Sequence, residues 1–171
     1  AENTQARCRM VCLMALSNAR GWLMLNTGNK SEACMGYSTL YGDTAGAFAP
    51  LGGVYKTDVF AMARARNRRA AEAGETLPIP VNVFVKPPSA ELAPDQEDEK
   101  SLGIDYATLD RILVASVEGG CDASAVASAL VDDGYPADEA ARLVDYVLSR
   151  TAANAFKRAL EPPYPAAPFY G

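Results

Sequence analysis

Residues 22–32 read Trp22-Leu23-Met24-Leu25-Asn26-Thr27-Gly28-Asn29-Lys30-Ser31-Glu32, and this stretch decides the fold. Four apolar residues without polar alternation fit a strand buried on both faces, as in a parallel sheet. A Gly-containing polar turn follows at once. Helix, buried strand, polar turn is the grammar of an α/β domain. In open α/β sheets ligands bind beyond the carboxyl ends of strands, and Thr27 to Glu32 occupy that place with a hydroxyl, backbone amides, an ammonium and a carboxylate. The turn is not a Walker A loop, because Asn29 separates Gly28 from Lys30. By pattern alone, an ordinary capped turn is a commoner outcome than a nucleotide site.

Upstream, Glu2 to Arg20 is predicted to be a helix, with Ala6, Met10, Leu13, Met14 and Ser17 on one stripe and Gly21 as the stop. Downstream, Tyr41 to Gly46 reads as a loop, Phe48 to Leu51 as a short strand and Gly52-Gly53 as a turn. Thr57 or Asp58 is expected to cap a second helix with Val59, Met62 and Ala63 facing inward. Its Arg64, Arg66, Arg68 and Arg69 are better read as a solvated face than as a nucleic-acid patch. Pro78, Pro80, Pro87 and Pro88 make residues 74–100 loop-like, and Asp95 to Lys100 reads as a solvated charged run. From Tyr106 onward the chain reads as helical, with Leu109, Ile112 and Leu113 on one stripe and Leu143, Val144 and Val147 on another. Pro162 to Pro165 cannot be helical and is expected to be an extended tail.

The chain has 171 residues and no histidine, which excludes a Ser-His-Asp triad, a Cys-His dyad and an HExxH zinc helix. This length suits one domain burying roughly 70% of its unfolded surface. The formal charge of −5 lies in the C-terminal portion: residues 1–100 hold 11 Lys+Arg and 11 Asp+Glu, residues 101–171 hold 5 and 10. Broad nucleic-acid binding needs a net basic face and is disfavoured. The four cysteines form no CxxC pair, and Cys8 and Cys12, one helical turn apart, are expected to pack in a core as reduced thiols. That usage suits the cytoplasm, and no secretory signal or membrane-spanning run is read.

Three further segments could meet an anion. Lys56-Thr57 opens a helix, where an ammonium and unsatisfied amides would coincide. Ser89 follows two prolines that stiffen its approach. Phe156-Lys157-Arg158 sets two cations side by side. Taken in order, NTQARCRM, LNTGNKSE, GYSTLYGD, VYKTDVF, KPPSAEL, DYATLD and FKRALEPP closely resemble the NAD synthetase family, above all its glutamine-dependent branch. The resemblance covers nearly the whole chain, more loosely over residues 114–150.

The resemblance implies a Rossmann-like parallel sheet of the adenine nucleotide alpha-hydrolase (ATP pyrophosphatase) type. The chain would be the C-terminal part of one such domain, truncated at its N-terminal half: an α/β portion over 1–113, a helical portion over 114–160 and an extended tail over 161–171. It implies amidation of deamido-NAD to NAD, with ATP and Mg2+, through an adenylated intermediate. AMP and pyrophosphate would be released, and ammonia would come from glutamine in a separate upstream domain. By resemblance, Thr27, Lys56 and Ser89 contact ATP, and Arg7, Glu32, Tyr37 and Lys157 contact deamido-NAD. Arg7 would do so across a homodimer interface, Glu32 would also serve magnesium, and Asp43 would lie near the ammonia site. Higher homo-oligomers occur in the same branch.

The chain departs from the family's pattern in places. The SGG-x-D-S phosphate loop and the glutaminase domain are not in this sequence, Leu40 and Ala47 stand where ammonia-dependent members carry Lys and Asp, and Ala93 replaces an arginine. The chain alone is therefore expected not to turn over. The alternatives are a non-catalytic nucleotide-binding or dimerisation module and a different ATP pyrophosphatase amidotransferase.

Overall fold

A computed structural model describes residues 1–165, 169 and 170. Helix α1 spans Glu2–Arg20 and ends, as expected, at Gly21 in the left-handed conformation. Residues 22–29 lead to α2, Lys30–Met35. Helix α3 spans Lys56–Glu72, and two short helices, α4 (Asn82–Val85) and α5 (Asp98–Leu102), interrupt the segment expected to be loop. Helix α6, Tyr106–Leu113, runs on into a π-helical turn, Val114–Glu118. Then come α7 (Ala123–Asp132), α8 (Ala137–Ala153) and α9 (Ala155–Arg158).

The core lies in the C-terminal portion. Leu109, Ile112 and Leu113 of α6 are fully buried against Val126 and Leu130 of α7, Ala140, Leu143, Val144 and Val147 of α8, and Cys34 and Met35 of α2. Both stripes expected from the sequence are thus core, because helices that follow closely in the chain cover them. Asp105 and Asp122 cap α6 and α7, accepting from the Thr108 and Ala125 amides.

The expected sheet does not form among the described residues. Leu25 and Phe48 make one parallel bridge, in which the Asn26 N–H donates to the Phe48 carbonyl at 2.8 Å and the Ala47 N–H to the Met24 carbonyl at 2.9 Å. A parallel strand needs neighbours and cover on both faces. Here Trp22 and Leu23 are 64% and 69% exposed. Of the α1 stripe only Ala6 and Met10 are buried, while Leu13 and Met14 are exposed. Met62 of α3 is exposed as well, and Ala70 is that helix's buried residue.

Two other expectations are corrected. Cys8 and Cys12 are exposed, and Cys34 is the buried thiol, pushed up to about 11 by burial. Within the charged run, Asp98 is buried and accepts from the Tyr106 hydroxyl at 3.2 Å. Pro162–Pro165 form no helix, as expected; residues 166–168 and 171 lie outside the described residues.

Candidate functional site

The polar turn after Leu25 is built by Asn26. Its side-chain oxygen accepts from the Gly28 amide at 2.7 Å, and its amide group donates to the carbonyls of Asp43 and Ala45 at 2.7 and 3.1 Å. This Asx turn ties residues 26–28 to the 43–45 loop and leaves Thr27 at the wall of a hollow. Asn29 then caps α2 reciprocally: its side chain accepts from the Glu32 amide, and Glu32 Oε2 accepts from the Asn29 amide at 3.2 Å.

The hollow, about 280 Å³, is lined by Asn26, Thr27, Glu32, Tyr37, Asp43, Lys56 and Glu161 among others. Lys56 Nζ donates to Glu32 Oε1 at 2.9 Å, so one carboxylate both caps α2 and holds the ammonium. Lys56 also lines an adjoining hollow of about 300 Å³ with Phe60, Lys86 and Ser89. Thr27 and Ser89 therefore do not share one hollow; Lys56 stands between them.

The amides at the start of α3 are not open to an anion. Lys56 N–H donates to Ser31 Oγ at 2.9 Å and Thr57 N–H to Asp110 Oδ2 at 2.8 Å, while Ser31 donates to Asp110 Oδ1. Burial raises the Asp110 carboxyl, against the hydrogen bonds from Ser31 and Thr57, which lower it. What Lys56 offers at this helix end is its ammonium.

The remaining expected residues are dispersed. Tyr37 and Asp43 line the first hollow and also a neighbouring one of about 160 Å³ with Asn3, Ala90 and Gln96. The Tyr37 hydroxyl accepts from Gln96 at 3.3 Å, and its pKa is raised, by burial first. Asp43 Oδ1 accepts from the Thr39 amide at 2.6 Å. Arg7 lies on α1 with Nε donating to the Leu40 carbonyl at 3.0 Å. Ser89 Oγ accepts from the Glu91 amide at 3.0 Å.

Lys157 Nζ donates to the carbonyls of Gly36 and Ser38 at 2.7 and 2.8 Å. Arg150 and Asn154 reach the Met35 carbonyl at 3.0 and 3.3 Å. These groups satisfy carbonyls at the end of α2 and hold the turn that carries Tyr37. Gly36 is required there: φ is 61°, and a Cβ would meet the Asn154 side chain at 2.2 Å.

Asn26 and Glu161 were not singled out from the sequence. The Asn-Thr-Gly turn pattern could have flagged Asn26. No local signal marks Glu161, which reaches the hollow from the far end of the chain. Burial raises its carboxyl, Arg158 opposes the rise, and Glu32 adds to it.

No group of three or more acidic or cysteine side chains among the described residues could hold a metal. Magnesium, however, usually takes one or two carboxylates together with substrate phosphates. Glu32, at the wall of the hollow with lone pairs beyond its two bonds, fits that mode.

Comparison with known proteins gives a consistent result. A family model described as NAD synthase matches residues 1–161. A glutamine-dependent NAD(+) synthetase of Thermotoga maritima is 53% identical over 74% of this chain and 21% of its own length. One from Xylella fastidiosa is 44% identical over 96% of the chain and 28% of its own length. The crystal structure of a glutamine-dependent NAD(+) synthetase from Cytophaga hutchinsonii superposes with a TM-score of 0.71 at 28% identity, covering 95% of this chain and 24% of that one. The chain thus spans about a quarter of the length of these relatives. The likeness supports the adenine nucleotide alpha-hydrolase-like fold family, though the sheet itself is represented here by one bridge.

Proposed function

Because the chain belongs to the NAD synthase family, we propose that it supplies part of the ATP and deamido-NAD sites of a glutamine-dependent NAD synthetase. Thr27, Lys56 and Ser89 serve ATP; Arg7, Glu32, Tyr37 and Lys157 serve deamido-NAD. A carboxylate oxygen of deamido-NAD attacks the α-phosphorus of ATP, the bond to the β-phosphate breaks, and pyrophosphate leaves. Ammonia, released from glutamine in another domain, then attacks the acyl carbon, and AMP departs with the oxygen.

The observation that carries this reading is the position of Lys56 at the junction of two hollows, one bearing Thr27 and the other Ser89. A flexible ammonium there suits a phosphate chain running from one hollow into the next. Its partner Glu32, freed when Lys56 turns to the phosphates, would offer a carboxylate to magnesium. Magnesium neutralises phosphate charge when bound. The Asp43 carboxylate draws ammonium toward the acyl carbon and takes its proton. Tyr37 offers a ring on which the dinucleotide stacks, and Lys157 holds its turn.

The exposed apolar residues Val11, Leu13, Met14 and Leu16 lie on the same helix as Arg7 and favour a homo-oligomer with α1 in its interface. No helix among the described residues is long and apolar enough to cross a membrane. The test is to express the protein from its complete reading frame and supply deamido-NAD, ATP, magnesium and glutamine or ammonia. AMP and NAD in equal amounts are expected, and failure to form either would refute the assignment.

A further inference from the structure

Helix α3 begins without a cap of its own: Tyr55 stands at its N-cap position with no side-chain bond to the first turn. The partners of that turn come from distant parts of the chain. Ser31 and Asp110 take the Lys56 and Thr57 amides, and the Tyr55 amide donates to the hydroxyl of Tyr170 at 3.1 Å, 115 residues away. The same hydroxyl donates to Asp58 Oδ2 at 2.5 Å. Both hydrogen-bonding capacities of Tyr170 are thus spent on the residues flanking Lys56 and Thr57. Its ring lies 5.0 Å from that of Tyr55, with Lys30 Nζ 5.9 Å from its centroid.

The C-terminal segment touches the approach to α3 at other points too. The Pro163 carbonyl accepts from the Ala49 amide at 2.9 Å. Tyr164 lies on Gly52 and Gly53, so closely that a Cβ on Gly52 would come within 3.0 Å of the Tyr164 Cβ. Contacts at 49, 52–53, 55 and 58 run from the bridge at Phe48 into the first turn of α3.

We infer that Pro163, Tyr164 and Tyr170 together strap residues 49–58, and that Tyr170 is a positioning residue that fixes Lys56 through the Tyr55 amide and Asp58. The consequence for ATP rests on the function proposed above; the strap does not. A tyrosine that merely filled space would use its ring alone, whereas both bonds described here belong to the hydroxyl.

Tyr170→Phe keeps the ring and removes the hydroxyl. Amide exchange read by mass spectrometry on the whole protein is expected to quicken about tenfold over residues 49–58 and to stay unchanged in α8. Asp58→Asn keeps an acceptor and is expected to retain protection, whereas Asp58→Ala loses it. The dissociation constant for ATP should rise about fivefold in Tyr170→Phe, with kcat little changed. Wild-type exchange over 49–58 in Tyr170→Phe would overturn the strap, and faster exchange with unchanged ATP affinity would overturn the positioning role. Faster exchange in a protein that binds no ATP in either form would uphold the strap and remove the ATP-site reading.

Discussion

Two regions of this chain carry apolar residues at helical spacing, and they have opposite fates. In α6, α7 and α8 the stripes interlock, and Leu109, Ile112, Leu113, Val144 and Val147 are almost completely buried. In α1 and the segment after it, Val11, Leu13, Leu16, Trp22, Leu23 and Leu25 are exposed. Periodicity reports that a face is apolar; burial depends on whether a neighbour is present to cover it. The site lies at the seam between the regions. Helix α2 gives Met35 to the core at one end and Glu32 to the hollow at the other.

The comparison breaks most directly by truncating one side chain in each region. Leu113→Ala should cost about 2–5 kcal/mol, the range for a buried leucine. In the chain held monomeric by dilution, Leu13→Ala should cost no more than about 0.5 kcal/mol, as expected of an exposed site. Urea unfolding of both variants reads the contrast; equal losses would mean that α1 is packed against something in solution.

At the seam, Asp110→Ala leaves the Thr57 amide and the Ser31 hydroxyl without their buried partner. A loss of about 1–3 kcal/mol is expected for such an orphaned group. Because Ser31 also holds the Lys56 amide, ATP affinity should fall with it, which separates this residue from Leu113.

Much of the helical region was legible in the sequence. Gly21 marks the end of α1, and the α6 and α8 stripes point inward because their partners lie within the next few dozen residues. The strand expected at Trp22–Leu25 is reduced to one bridge at Leu25, since its burial depends on neighbours that four residues cannot specify. The open amides expected at Lys56 proved to be occupied by Ser31 and Asp110, 25 and 53 positions away from their partners. Asp98 sits in a run that composition marks as solvated, yet it accepts from Tyr106 in the interior. Residues around the hollow were recognisable where motifs are local, as at Thr27 and Glu32. Glu161 was not, because tertiary folding alone brings it there.

Smaller effects sharpen the comparison. Asp122→Ala, at the exposed cap of α7, should lower stability by less than Asp110→Ala does, because water can take over the freed amide. Glu161→Gln tests the far wall of the hollow through pH. Its carboxyl is raised in the folded state, chiefly by burial, so the folded chain holds that proton more tightly than the unfolded one. Wild-type stability should therefore decline as pH rises from the ordinary carboxylate range through the raised value. The glutamine variant should lack that part of the decline. Identical pH–stability curves would place Glu161 in water.

The central claim is that Lys56 links the two hollows as the cation for a triphosphate. Calorimetric titration of ATP with magnesium into the protein from the complete reading frame, wild type against Lys56→Ala, tests it most directly. Binding weakened about tenfold or more in the variant is predicted, the scale of one lost charged contact. Equal affinity in the two proteins would contradict it.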